Sequence, residues 1–423
     1  MKARSGWALV AATMVLAAAG QAWAQGCVVT IGALHELTGS NGPVVRPISQ
    51  ASLLAIEHIN EAGGVLDNCQ IRVDVRDTQT QPTVAVDQGR QLVDVIGVGA
   101  ILGPVSSGLS LPLLTSVTVE KNVLLVSSAS ASPTFTQLGK DGATKGLFFR
   151  VQASGALEAL AAARIIADAG IKRLVIVNHN NDWGNNLVKE LSAALPKLGV
   201  QVVEAVRFNT DQPTYRSEVT KAIESKPDAA FMAMAKTDGL KIMREWVRIG
   251  GPQRFVFPLG VNDSEFITNV GPDVLKSSWF ITPGDSASAS LDTFRDAFQK
   301  RYNATAIGPG REQGYDIAAL LALAIHAAGT AKDGKKIAAG MYAVTDPEGE
   351  RIMTGPAEFR KALALIKAGK RIRYFGAGGE INFDRYGDVT TPFVGWQVEG
   401  GTLVKKRNIS IDDVVAIKKL VDG

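Results

Sequence analysis

The sequence predicts an α/β molecule of two lobes, each built on a mainly parallel sheet. Three observations carry this. Apolar runs of strand length alternate with longer stretches whose apolar residues recur at helical spacing, as in β-α-β units with right-handed crossovers. The alternation runs to about residue 147 and then restarts, giving two series of similar size. No low-complexity segment separates the series, which favours two lobes joined by several short crossings over two beads on a string. With 423 residues the chain has room for two or three domains of roughly 150 each. Its 46% apolar and 20% charged residues describe a folded composition, not a disordered one.

The first residues read as a leader. Lys2 and Arg4 form a basic stretch, 7–19 is apolar but short for a membrane span, and Ala22-Trp23-Ala24 suits cleavage by signal peptidase. Residues 1–24 are therefore expected to be removed on export, leaving a chain that starts at Gln25. The whole chain carries only +4, and two of its positive charges leave with the leader. A nucleic-acid partner, which normally needs a basic stripe, is not expected. Nor is a later membrane span, because no further apolar run reaches about 18 residues. Both cysteines, Cys27 and Cys69, remain in an oxidising compartment and precede the first two strands, so a disulfide between them is expected. The competing reading is acylation of Cys27 at a new N-terminus, although Ala24-Gln25-Gly26 is a poor lipobox.

The elements follow in order. VVTIGAL (28–34) is the first strand, and Ile48, Ala51, Leu54, Ala55 and Ile59 make a helical stripe that stops at Gly63-Gly64. QIRVDVRD (70–77) alternates apolar and charged residues and predicts a strand with one wet face. A helix over 82–96, a strand AILGPV (100–105), a helix from Ser107 to Lys121 and a strand NVLLVSS (122–128) complete the first series. FFRVQ (148–152) opens the second, leading to an alanine-rich helix that ends at Gly170. Strands 173–179, 200–208, 229–234 and 254–259 then alternate with helices 184–198, 214–225 and 237–249. SSWFITP (277–283) reads as a connector, followed by helices near 291–303 and 311–329. GEINFDRYGD (379–388) and FVGWQVEGG (393–401) have an antiparallel flavour.

Enzyme signatures are missing. HELTG (35–39) begins like a zinc helix, but Gly39 stands where a second histidine is needed. GLSLP (108–112) is no nucleophile elbow, no glycine-rich phosphate loop follows the first strand, and cysteines held in a disulfide leave none for a metal cluster. His58 lies inside an amphipathic helix and reads as a core-edge or surface residue. The sequence points to no catalytic residues, no metal and no cofactor.

What remains is a set of strand ends in small or polar residues, where open α/β sheets collect ligands. Ser106 and Ser107 begin a helix, either as donors to an anion or simply as caps. LLVSSASASP (124–133) ends a buried strand in small hydroxyls, either a donor patch around Ser130 that lets a ligand reach the main chain or a plain polar loop. Trp183, in HNNDWGNN (179–186), is either an apolar lid or a core residue. AMAKTDG (233–239) and FPLGVNDSEF (257–266) are further candidate ends.

Taken in order, VTIGALHELTGSNG, INEAGG (59–64), VRDTQTQPTVAV (75–86), 101–136 and INFDRYGD with FVGWQV carry a resemblance over essentially the whole mature chain. It resembles the periplasmic solute-binding proteins of branched-chain amino acid ABC transporters, the Leu/Ile/Val-binding type. The resemblance implies a type I periplasmic binding protein fold, with two Rossmann-like lobes joined by three hinge crossings. Their expected bounds are 25–147 with 282–383, and 148–281 with 384–423. It implies a monomeric receptor that hands a small carboxylate solute to an inner-membrane ABC permease, or alternatively one that presents it to a signalling receptor. The solute carboxylate would meet Ser106, Ser107 and the loop at Ala129 and Ala131, and Trp183 would cover the solute. Lys236 stands where the amino acid binders often carry an aromatic. The family's amino acid binders pair the ligand ammonium with an acid at the position of Leu259, and Ala131 replaces a common hydroxyl residue. Asp238 or Asp263 could substitute for that acid. Without one, the resemblance points to a non-amino organic acid, with Lys236 or Arg46 adding charge.

Overall fold

The computed structural model describes residues 27–284, 288–306 and 310–422. The expected leader, 1–24, lies outside the described residues. A five-stranded parallel sheet holds β1 (Val28–His35), β2 (Gln70–Asp77), β3 (Ala100–Leu102), β4 (Leu124–Ser127) and β5 (Phe148–Arg150), in the order β2-β1-β3-β4-β5. The second sheet repeats that order with β6 (Arg173–His179), β7 (Gln201–Phe208), β8 (Ala229–Ala233), β9 (Phe255–Phe257) and β10 (Trp279–Pro283), running β7-β6-β8-β9-β10. A small sheet of β11 (Glu350–Ile352), β12 (Ile372–Gly376) and β13 (Gly379–Glu380) stands apart. The hairpin β14 (Phe393–Glu399) and β15 (Thr402–Ile409) adds two antiparallel strands beside β10.

Each series folds as its pattern dictates. The stripe of helix Gly42–Glu61 turns Val45, Ile48, Ala51, Ala55 and Ile59 into the core. Helix Arg311–Ala328 is apolar nearly all round from Tyr315 to Ile325 and is buried accordingly. One core joins residues between Val29 and Val151 to residues between Leu291 and Val389, and another joins Ala153 to Ile281 with Phe393 to Ile417. The chain thus crosses between lobes three times, near 151–153, 281–291 and 389–393. Cys27 and Cys69 form a disulfide across the starts of β1 and β2.

Four segments differ from the pattern, one of them the helix expected over 82–96, which is α-helical over Pro82–Arg90 and π-helical over Gln91–Ile96. Phe148–Arg150 is an edge strand of the first sheet, not the opening of the second, because Phe148 stacks on Phe135 and Phe149 packs in the first core. Trp279–Pro283 is a fifth parallel strand, not a connector, pairing Phe280 with Phe257. The helix expected over 107–121 is α-helical only from Ser107 to Leu113 and then widens into a π-turn over Leu114–Thr118, next to Pro112, which has no N–H to offer the α ladder.

Candidate functional site

The two sheets present the carboxyl ends of their strands to one another across a cavity of about 140 Å³. Both have the strand order that reverses beside the first strand, and that reversal is where open α/β sheets leave a crevice. From the first lobe come Asn41, Val44, Val45 and Ile48 at the start of helix Gly42–Glu61, Val105 to Ser107 after β3, and Ala129 and Ala131 after β4. From the second come Glu158, His179, Asn181 and Trp183, Met234 and Ala235 after β8, and Leu259 and Gly260 after β9. Gln152, on the first crossing, and Gly310 complete the lining.

The loop after β4 is held from beneath. Ser127 donates its hydroxyl to the Pro104 carbonyl at 2.7 Å, and Ser130 is tied to Val105 O and Ser110 Oγ at 3.2 and 2.8 Å. The fully buried guanidinium of Arg150 donates to the carbonyls of Ser130 and Ser132 at 2.8 and 2.7 Å and to Asp388 at 2.6 Å. Ser130 is therefore an internal strut that does not line the cavity, while the flanking Ala129 and Ala131 do. Small residues there let an occupant approach the main chain.

Ser106 and Ser107 part ways. The Ser106 N–H and hydroxyl donate to Glu36 at 2.9 and 2.6 Å, and the Val105 N–H adds a bond of 3.1 Å. The donors expected to greet a ligand anion already hold the protein's own buried carboxylate. Burial pushes the Glu36 carboxyl above its usual range, against these hydrogen bonds. Ser107 Oγ accepts the Ser132 N–H at 3.0 Å, which leaves its hydroxyl proton to donate.

Two lining groups escaped the sequence reading. Gln152 is buried with neither amide atom partnered. Glu158, on helix Gly155–Asp168, is buried, accepts the Leu259 N–H at 2.8 Å through Oε1, and has no partner at Oε2. Desolvation raises its carboxyl to about 7, against the Leu259 N–H and the Trp183 indole. Burial pushes the His179 imidazole below its usual range, against the charges of Asp238 and Asp211, and Asn181 Nδ2 lies 2.8 Å from its Nδ1. Asn181 is oriented by the Gly184 N–H, and Gly184 is required because a Cβ there would fall 2.1 Å from the His179 carbonyl.

Of the residues expected at the site, Ser106, Ser107, Ala129, Ala131, Trp183 and Leu259 are brought together, and Ser130 and Lys236 are not. Lys236 is engaged with Asp263 and Glu265 at 3.3 and 2.7 Å. Asp263 caps the helix Ser264–Val270, Asp238 accepts the Tyr215 hydroxyl at 2.5 Å, and Arg46 is exposed on its helix. None of these three lines the cavity. No nucleophile–base pair is found among the lining residues, and no cluster of metal ligands among the described ones.

The family described as periplasmic binding protein matches residues 28–365. The chain is 27% identical over 361 residues to the chemotactic signal transduction system substrate-binding protein BasB of Halobacterium salinarum, covering 84% of this chain and 83% of that one. It superposes on the leucine-binding protein LivK of Thermotoga maritima with a TM-score of 0.76 at 22% identity, covering 91% of this chain and 99% of the other. A solute-binding protein of an ABC transporter from R. palustris, solved with benzoate, gives a TM-score of 0.74 at 17% identity, covering 90% and 96%.

Proposed function

The chain belongs to the periplasmic binding protein family, and from that premise we propose that it is the substrate-binding component of an ABC importer. It traps a small carboxylate-bearing solute between its lobes and delivers it to an inner-membrane permease. The observation that carries this is the cavity itself: apolar walls, a few buried polar atoms without partners, and lining residues that offer hydrogen bonds but no nucleophile with a base. Ser107 and the main chain at Ala129 and Ala131 receive the carboxylate. Trp183 and Leu259 cover the apolar body. Affinity comes from desolvated hydrogen bonds made when the lobes, 25–147 with 282–383 and 148–281 with 384–423, close. The strand Phe148–Arg150 moves the first of these boundaries to about residue 152, and Val389 in the first core moves the last to between 389 and 393.

A thermal-shift screen of the exported protein against amino acids, aromatic acids and short aliphatic acids tests this. A specific solute at 100 times its Kd stabilises the protein by about 2.7 kcal/mol and raises the melting temperature. No shift with any small carboxylate would overturn the reading.

A second reading, a sensor that presents its bound solute to a signalling receptor, is favoured by the likeness to BasB. Permease and ATPase genes beside this one support import; a transducer gene in their place supports sensing.

A further inference from the structure

We propose that Glu158 is the anionic half of an ammonium subsite, so that the solute is a small apolar amino acid rather than a plain organic acid. The inference rests on the receptor reading above and narrows its solute. The missing acid at position 259 made an organic acid the natural expectation from the resemblance. The fold restores the charge from another element. Glu158 projects from the first turn of helix Gly155–Asp168 and bonds the main chain of Leu259 itself, so its carboxyl lies beside the position the family's acid would occupy.

Three observations point the same way. First, both neighbours that touch the Glu158 carboxyl, the Leu259 N–H and the Trp183 indole, are donors, which suits the ionised form. Second, Oε2 is buried with no partner, on a residue that lines the cavity. Third, no lysine or arginine joins Glu158 among the described lining residues, while Glu36 sits directly behind Ser106. A bare anion would meet the Glu158 carboxylate with no lysine or arginine in the lining to offset it. A zwitterion sets its ammonium on Glu158 and its carboxylate toward the uncharged donors of the first lobe. A buried carboxylate without a cation is costly, and an incoming ammonium relieves that cost. The specificity is therefore partly repulsive, against solutes that lack the amine.

The test is calorimetric titration near pH 7 with L-leucine, L-phenylalanine, their amine-free counterparts 4-methyl-2-oxopentanoate and 3-phenylpropionate, and benzoate. At least one amino acid is expected to bind, with its amine-free counterpart about 30-fold weaker or worse, the range for breaking a buried charge pair. Glu158→Gln should cost the amino acid a similar factor, and adding Leu259→Glu to that variant should recover part of it. If E158Q does not fold, the paired solutes on the natural protein decide alone. Binding of benzoate or an oxo acid without binding of either amino acid would overturn the assignment and leave the receptor reading standing. Amino acid affinity unchanged in E158Q would overturn the assignment as well. Binding by none of the five would overturn the assignment and leave the receptor reading to the thermal-shift screen.

Discussion

At the scale of single residues, Glu158 couples the site to pH. Unfolded, its carboxyl titrates in the ordinary range near 4.5; folded, with the lobes together, burial raises it to about 7. The native state therefore holds this proton over an interval where the unfolded chain has released it. Stability from this group is complete below the unfolded value and is lost as pH rises through the folded one. Asp316, buried and held by Tyr374 and the N–H groups of Ala377 and Gly378, is also raised to about 7 and acts in the same sense. His35, pushed down to about 4 by burial, acts in the opposite sense. Comparison of the natural protein with Glu158→Gln cancels both. The difference in their melting temperatures should drift against the natural protein by an amount equivalent to about 3 kcal/mol between pH 4.5 and 8. A parallel pair of curves would deny that Glu158 titrates in the cavity. Its role was not legible in GALEALAAAR, where an acid in the first turn reads as an ordinary partner of the helix dipole. Glu36 was hidden differently, since HELTG was tested as a metal motif and gave no sign of a buried carboxylate. Position 259 was legible as a departure, but the compensating residue lies 101 positions away, and only the folded chain brings the two together.

At the scale of elements, strand periodicity was a good guide. QIRVDVRD occupies its expected span as an edge strand, and both parallel series are present. The failures share a cause: short apolar segments do not reveal which sheet they join. FFR and WFITP were assigned by position in the sequence, whereas packing of Phe148, Phe149 and Phe280 decided their places. The same edge strand delivers Arg150, which fastens the cavity-lining loop after β4 to the returning segment at Asp388. A lysine offers one compact ammonium in place of this fork and does not reach Asp388, Thr136 and two carbonyls together. Arg150→Lys should therefore speed amide hydrogen exchange over 129–132 and weaken solute binding. Asp388→Asn, which leaves a buried guanidinium without its anion, should cost about 3–5 kcal/mol in urea unfolding. Unchanged exchange in the first variant would show that the hydroxyl struts from Ser127 and Ser130 hold the loop unaided.

At the scale of the whole molecule, the described side-chain bonds across the cleft are long, and one main-chain bond, from the Gly155 N–H to the Ala131 carbonyl at 2.5 Å, joins the lobes beside the first crossing. Thr134 donates to Asp182 at 3.2 Å, Asn186 to Ser132 at 3.3 Å, and Thr237 to the Ser40 carbonyl at 3.3 Å. Each belongs to polar groups that water satisfies when the lobes part, so net bonds of this kind contribute about 1 kcal/mol apiece at most. Against them stands the gain from freeing the three crossings. A two-lobed chain balanced in this way is expected to populate open forms, and a solute that touches both lobes to favour the closed one by its differential affinity. Solution X-ray scattering should show this directly. The radius of gyration of the empty protein should exceed the roughly 22 Å of a single compact body of this length and should fall toward it when the best stabilising solute from the thermal screen is added. The fall should saturate at the same concentration as the calorimetric binding curve, because both report the one equilibrium. A radius that stays constant while heat is released would mean that the solute enters a cavity already closed, and affinity would then have to come from the lining residues without any contribution from lobe closure.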